Sequence, residues 1–144
     1  MCKCASGNDV DLGETTVQLP SITGLYLAIL ALIYAVLALQ AARLRRDNRV
    51  LFGDGENMKL RSAIRAHANF IEYVPIIALL VAMLEMSGTS AVRVHVLMGA
   101  LLVSRLLHPL GMYSRPGTWQ FGVGFTIAVL VAAAVSALLR FWPA

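Results

Sequence analysis

The chain has 144 residues, of which 58% are hydrophobic and 14% charged, and its formal net charge is +4. Soluble domains are typically about 45–50% apolar and about 25% charged. This composition, with a mean hydropathy of +0.72, therefore predicts an integral membrane protein and excludes a soluble domain. The arginines cluster where membrane topology favours positive charge, and no aromatic residues are interleaved with a basic surface, so nucleic acid is excluded as a partner.

Residues 1–20 predict a polar, disordered N-terminal tail that contains no signal-peptide core. Cys2 and Cys4 lie in this tail. Two thiolates cannot complete a structural zinc site, and their spacing is not that of a CxxC pair. We interpret both cysteines as incidental.

A first membrane helix is predicted over residues 21–42, because no charged residue occurs from Thr15 to Ala42 and about 20 apolar residues span a bilayer. The loop that follows, residues 43–59, carries five basic and three acidic residues. The positive-inside rule places this loop in the cytoplasm. The chain is therefore predicted to begin on the non-cytoplasmic side.

Three more membrane helices follow from the remaining apolar segments. They are predicted over residues 58–85, 91–108 and 118–140. Pro75 lies inside the second helix and is predicted to kink it, which neighbouring helices can accommodate. A turn over residues 109–117 connects the last two helices. The predicted fold is an all-α integral membrane four-helix bundle over residues 21–142, with both termini on the non-cytoplasmic side.

The fourth predicted helix carries a ridge of small residues at a spacing of four. The ridge consists of Gly124, Ala128, Ala132 and Ser136. Small residues at this spacing let two helix backbones approach closely in lipid. The ridge is therefore predicted to pack on another helix.

The second helix opens with a polar stripe inside an otherwise apolar segment. Its members are Arg61, Arg65, Asn69 and Glu72, and their spacing places them within an arc of about 80° on one helix face. His67 lies on the opposite face and is predicted to pack between helices. Charged groups are costly inside a bilayer, so such groups usually face a partner, a cavity or a ligand.

Several other polar groups have simpler interpretations. Glu85 and Arg93 flank the predicted external turn and are interpreted as marking its borders. His95 is interpreted as an interfacial residue, and Tyr26 and Tyr34 as packing residues. The three histidines do not occur at metal-binding spacing and no carboxylate pair accompanies them, so no metal site is predicted.

The predicted topology brings polar groups from separate elements to the cytoplasmic leaflet. They are Arg43, Arg65, Arg105, His108 and Tyr113. Arginine suits carboxylates, phosphates or a thiolate. The groups therefore indicate a site for a small zwitterion with several carboxylates, or for a lipid-borne anion. The alternative is purely structural: Glu72 pairs with an arginine of a neighbouring helix and holds the bundle together.

At this point the residues resemble a known family. The motif is Arg65-Ala66-His67-x-Asn69-x-x-Glu72-Tyr73-x-Pro75, followed by Arg105-x-x-His108 and Tyr113. It is similar to the signature of the MAPEG family, the membrane-associated proteins in eicosanoid and glutathione metabolism. The resemblance covers the chain from Ser21 onward and is strongest to the bacterial branch.

The resemblance implies a homotrimer in a bacterial inner membrane, with glutathione bound between subunits and facing the cytoplasm. The implied glutathione-binding residues are Arg43, Arg65, Asn69, Glu72, Tyr73, Arg105 and His108. The carboxylates of glutathione would be held by Arg43, Arg65 and Arg105, and its ammonium by Glu72. As a microsomal-type glutathione transferase or peroxidase, the protein would conjugate glutathione to lipophilic electrophiles or reduce lipid hydroperoxides.

The chain departs from the family pattern where the transferases carry an arginine that stabilises the glutathione thiolate. The start of the fourth helix reads Thr118-Trp119-Gln120-Phe121 and has no arginine. Arg115 and Tyr113 are the candidate catalytic residues in its place. The departure favours a second hypothesis, a non-catalytic lipid- or ligand-binding member. A third hypothesis is a small multidrug-type transporter, although such proteins carry their glutamate on the first helix, which is uncharged here.

Overall fold

The computed structural model describes residues 9–11, 16–114 and 119–143, with side chains over residues 18–109 and 120–143. Its four helices are α1 (Ser21–Asp47), α2 (Met58–Met86), α3 (Ala91–Ser114) and α4 (Trp119–Phe141). All four are long and apolar enough to cross a membrane. The predicted class is therefore confirmed: the protein is a four-helix integral membrane bundle.

The N-terminal tail contains a short hairpin that the sequence does not predict. Strands β1 (Asp9–Asp11) and β2 (Thr16–Gln18) pair antiparallel, with Val10 opposite Val17. The strand β2 lies against α2. The prediction of a disordered tail is thus wrong for these six residues, whose short polar pattern gives no helical or membrane signal.

Two helices extend beyond their predicted ends. Helix α1 continues from residue 42 to Asp47, because arginine and leucine are good helix formers in water as well as in lipid. Helix α3 continues through Pro109 to Ser114 instead of ending at residue 108. A membrane helix tolerates the missing proline N–H when neighbouring helices pack around the freed carbonyl.

The helices pack with α2 and α3 at the centre. Each of these two helices contacts the other three, and within the described residues α1 and α4 do not contact each other. The shared core is apolar and draws on every helix, with Leu30, Phe70, Met98 and Val129 among its members. Many large apolar side chains face outward, as expected for helices surrounded by lipid.

The antiparallel order gives the bundle two different ends. The basic end is where α1 finishes and α2 starts, and it carries Arg43, Arg45, Arg46, Arg49, Lys59 and Arg61. The distal end is where α1 starts and α4 finishes, so both termini of the helical domain lie there.

The loop at the basic end is fixed by side-chain hydrogen bonds. Arg45 Nη1 donates to the carbonyl oxygens of Leu51 and Gly53, at 3.3 and 2.9 Å. Asn57 caps α2, because its side-chain oxygen accepts from the backbone N–H groups of Lys59 and Leu60. The start of α2 is therefore held at a defined height beside the end of α1.

The distal end is closed by Glu85, for which the predicted role as a border residue is wrong. Its side chain is only 5% exposed. The carboxylate accepts from the Ile22 N–H at 2.8 Å, the Thr23 N–H at 2.9 Å and the Thr23 hydroxyl at 2.6 Å. It thus caps α1 from the end of α2 and satisfies backbone donors that a helix start leaves unpaired.

The small-residue ridge of α4 lies on the outer surface of the protomer. Gly124, Ala128 and Ala132 are exposed, so the ridge does not pack on another helix of the same chain. The opposite face of α4 is buried instead, through Thr126 and Ala133 among others. This rotation of α4 turns the Thr126 hydroxyl toward α3, where it accepts a hydrogen bond from Arg105.

Two tyrosine–histidine pairs join α1 to the central helices. The Tyr34 ring stacks on the His67 ring, with centroids 4.7 Å apart, which joins α1 to α2. The Tyr26 hydroxyl lies 3.3 Å from Nδ1 of His95, which joins α1 to α3. His67 therefore lies between helices, as the sequence predicts.

Candidate functional site

The polar stripe of α2 lies on the outer side of the protomer. Arg65 and Glu72 are exposed, while Asn69 and Tyr73 are half-buried. Within the described side chains, neither Arg65 nor Glu72 forms an ion pair. Both groups are therefore available to a ligand or to a neighbouring subunit, and an ion pair that holds this bundle together is not seen in the described part of the chain.

Behind the stripe, Arg105 of α3 is buried at 1% exposure. Its Nη1 donates to the side-chain oxygen of Asn69 at 2.7 Å and to the Asn69 carbonyl at 3.1 Å. Its Nη2 donates to the Thr126 hydroxyl, and its Nε to the Ser104 hydroxyl at 3.3 Å. One guanidinium thus ties α2, α3 and α4 together inside the membrane.

The described acceptors around Arg105 are all neutral. No described carboxylate forms an ion pair with the guanidinium. The nearest further support is the Tyr73 ring, whose centroid lies 5.9 Å from the Arg105 Cζ and can stabilise the cation through its π face. The buried site therefore keeps an uncompensated positive charge, which raises the affinity of its surroundings for an anion.

The hydrogen bonds also fix the orientation of Asn69. Because Oδ1 accepts from Arg105, Nδ2 is the amide atom that remains to donate to another group. No described residue accepts a hydrogen bond from this Nδ2, and no described buried side-chain donor lacks a partner. Asn69 therefore offers two N–H donors on the same outer side as Arg65.

Thr126 is fixed in the same way. Its hydroxyl donates to the Gly122 carbonyl at 2.8 Å, so its oxygen is free to accept from Arg105. Sequence reasoning missed both Thr126 and Ser104. The available signal was that Thr126 is a lone polar residue between Gln120 and Ser136 in an apolar segment.

His108 lies one turn beyond Arg105 and is only 4% exposed. Its backbone packs directly against Gly122 of α4, where an added Cβ would come within 3.0 Å of the His108 Cα. The close α3–α4 contact thus holds His108 beside Arg105, one helical turn away.

Other predicted site residues lie elsewhere or outside the described part. Arg43 is exposed on α1, in a groove of about 480 Å³ that is lined by α1 residues alone, including Gln40 and Asp47. The structure does not join it to the α2 stripe of the same protomer. Tyr113 belongs to α3, but its side chain lies outside the described residues, and so does Arg115 entirely.

The chemistry of the assembled groups is that of anion recognition. Asn69, Tyr73 and Arg105 come together directly, and Arg65 and Glu72 flank them on the α2 surface. In the described part of the chain, no three His, Cys, Asp or Glu residues cluster as metal ligands would. The site can therefore hold a carboxylate or thiolate beside a cation-binding Glu72.

The MAPEG family matches residues 23–141. Over 99 residues the chain is 37% identical to the inner membrane protein YecN of Escherichia coli strain K12, a match that covers 69% of this chain and 76% of YecN. The protein of the same name from Escherichia coli O6:H1 matches equally well. No solved structure matches the chain significantly.

Proposed function

The chain belongs to the MAPEG family, and we propose that it binds glutathione and uses it against lipophilic substrates. The proposed reactions are conjugation of glutathione to a membrane-dissolved electrophile and reduction of a lipid hydroperoxide. The observation that carries the proposal is the contact between the buried Arg105 and Asn69. It orients an amide donor toward the surface on which Arg65 and Glu72 are both exposed.

In the proposed binding mode, each charged group of glutathione meets a complementary side chain. Arg65 and Asn69 hold one carboxylate, and Glu72 holds the ammonium. Arg105 acts as a positioning residue rather than as a direct ligand, because its N–H groups already bind Asn69, Ser104 and Thr126. Tyr73 forms the flank, and His108 lies beside Arg105 as a further proposed contact to glutathione.

Arg43 fits the proposal when it comes from a neighbouring subunit. In its own protomer it lies on α1, away from the α2 stripe. In a homotrimer, the exposed α2 stripe of one protomer would face another protomer and meet its Arg43. Such an assembly would also cover the half of the exposed ridge that lies nearer the basic end, Gly124 and Ala128, and would leave Ser136 at the distal end facing lipid.

The proposed location is a bacterial inner membrane with the basic end in the cytoplasm. The name of the Escherichia coli relative supports the membrane. The concentration of arginines at the end where α1 meets α2 supports the orientation. Glutathione would then enter from the cytoplasm, and the lipophilic substrate would enter sideways from the bilayer.

For catalysis, the proposed mechanism needs a group that stabilises the thiolate of glutathione. A thiol has a pKa of about 8.5, and a nearby cation lowers it enough to make the thiolate abundant at neutral pH. Tyr113 or Arg115 would supply that group. A non-catalytic ligand-binding function is the second candidate, because no arginine occurs at residues 118–121. Ultraviolet absorbance of the thiolate on mixing with glutathione separates the two candidates.

The binding proposal is tested by titrating purified protein with glutathione. We expect Arg65→Ala and Glu72→Ala each to weaken binding by about tenfold or more, because each removes a charge-assisted contact worth about 1.5–3 kcal/mol. Arg46→Ala is the control, since this exposed arginine of the basic end lies outside the site. Equal affinity in the wild type and all three variants would remove the site assignment.

A further inference from the structure

The distal end of the bundle holds a second group of cationic side chains, far from the α2 stripe. A cavity of about 210 Å³ lies among the last turn of α2, the α2–α3 turn and the outer ends of α3 and α4. Its polar lining consists of Thr89, Arg93, Ser136 and Arg140, and its apolar lining of Leu84, Leu97 and Leu139. Two arginines from different helices thus converge on one small space.

One of these arginines is held in place by the protein. Arg140 donates through Nε to the Ser87 hydroxyl at 3.2 Å and through Nη2 to the Ser87 carbonyl. Ser87 is itself fixed, because its hydroxyl donates to the Leu84 carbonyl at 2.7 Å. The described residues use only one edge of the guanidinium, and the edge formed by Nη1 and Nη2 can meet a bidentate acceptor.

The charge around this cavity is not neutralised by the described side chains. Neither Arg93 nor Arg140 forms an ion pair with a described carboxylate. Glu85 is the acidic residue nearest in the fold, but its carboxylate oxygens accept from Ile22 and Thr23 of α1. The Ser136 hydroxyl donates its proton to the Ala132 carbonyl, so its oxygen can only accept a further hydrogen bond.

The position of the cavity identifies the kind of anion. Leu139 is 80% exposed on the outer surface of α4, so the apolar side of the cavity faces the bilayer. The arginines stand at the helix ends, which is the depth of the lipid headgroups. We propose that this cavity binds the phosphate of an anionic phospholipid in the leaflet at the distal end, with an acyl chain lying along Leu97 and Leu139.

The test compares lipid retention in native mass spectrometry of the whole protein. Wild-type protein in detergent is titrated with dioleoyl phosphatidylglycerol, dioleoyl phosphatidylcholine or inorganic phosphate. We expect preferential retention of phosphatidylglycerol, and a loss of about tenfold or more in Arg93→Gln/Arg140→Gln, which removes two charge-assisted contacts. The charge-matched control is Arg46→Gln/Lys59→Gln at the basic end, which should retain the lipid.

Two further variants separate a lipid site from a loss of fold. Arg93→Gln alone removes a side chain that makes no described hydrogen bond and should weaken retention while the protein stays folded. Ser136→Leu should weaken retention by filling the cavity with both arginines in place. Equal retention by the wild type and these variants, no preference over phosphatidylcholine, or equally tight binding of inorganic phosphate would each overturn the assignment.

Discussion

Glu85 and Arg105 are both buried ionisable residues in membrane helices, but the protein surrounds them differently. Every described donor that binds Glu85 belongs to the start of α1, so the carboxylate stabilises the fold itself. Arg105 binds neutral acceptors, and one of them, Asn69, keeps its amide nitrogen Nδ2 for another partner. The Glu85 carboxylate caps a helix end, whereas the Arg105 guanidinium positions Asn69 at the proposed binding surface.

The largest effect on stability is expected when the Glu85 carboxylate is removed. Glu85→Ala leaves two backbone N–H groups and the Thr23 hydroxyl without their acceptor, in a buried place. Leaving a buried donor without its acceptor costs about 1–3 kcal/mol, and three donors are affected. We therefore expect a large drop in the thermal unfolding midpoint in detergent. Glutathione affinity of the fraction that remains folded should not change.

Glu72→Ala is the matched control for this prediction. It removes a glutamate from the same helix, but one that is exposed and has no described partner in the chain. Its free energy of unfolding should stay within about 0.5 kcal/mol of the wild type, while glutathione binding weakens. If both variants lost stability alike, the distinction between the two glutamates would be lost.

The next largest effect is expected on glutathione binding when Arg105 is replaced. Arg105→Lys keeps the positive charge but cannot reach Asn69, Ser104 and Thr126 at the same time. We expect glutathione binding to fall about tenfold, because the Asn69 amide is no longer oriented. Arg93→Lys at the distal end is the control and should bind glutathione as the wild type does.

A double-variant cycle shows whether Arg105 acts through Asn69. When one residue acts only by positioning the other, Arg105→Lys should have little further effect on glutathione affinity in an Asn69→Ala background. Full additivity of the two losses would instead mean that Arg105 touches glutathione itself, and the role of positioning residue would be withdrawn.

A smaller effect is expected at the close contact that brings His108 beside α4. Gly122→Ala places a methyl group 3.0 Å from the His108 Cα and 3.2 Å from its Cβ. The two helices must separate, which typically costs about 1–3 kcal/mol. Thermal unfolding should show this loss. Gly24→Ala in α1 is the control, since nothing lies within 4 Å of its added Cβ, and it should be neutral or slightly stabilising.

Hydropathy and charge were enough to predict the four helices and their antiparallel order. The helix ends at Asp47 and Ser114 were missed because helix propensity in water and the tolerance of Pro109 do not appear in hydropathy. The α2 stripe was predicted because its members share one helix face. Spacing on a single helix fixes that face without any knowledge of the packing.

The contacts between helices were less predictable. Glu85 was interpreted as a border residue, because its partner is the start of α1, some 62 residues earlier in the chain. Thr126 was missed for the same reason, since only the rotation of α4 brings its hydroxyl to Arg105. The small residues of α4 indicated a packing surface, but spacing alone does not tell a contact within the chain from an exposed surface.

The smallest expected effect distinguishes an exposed ion pair from the two buried charges. Asp54 in the loop at the basic end pairs with Arg61, and the hydrogen bond from that guanidinium lowers the pKa of the Asp54 carboxyl below its usual 3.8. A pKa lower in the folded than in the unfolded state adds stability above the unfolded value, and the gain disappears as pH falls through the folded value. The unfolding midpoint of the wild type should therefore fall slightly more than that of Asp54→Asn between about pH 6 and about pH 3. Glu56→Gln, also in this exposed loop, should behave as the wild type; equal pH dependence of the wild type and Asp54→Asn would show that the pair adds no stability.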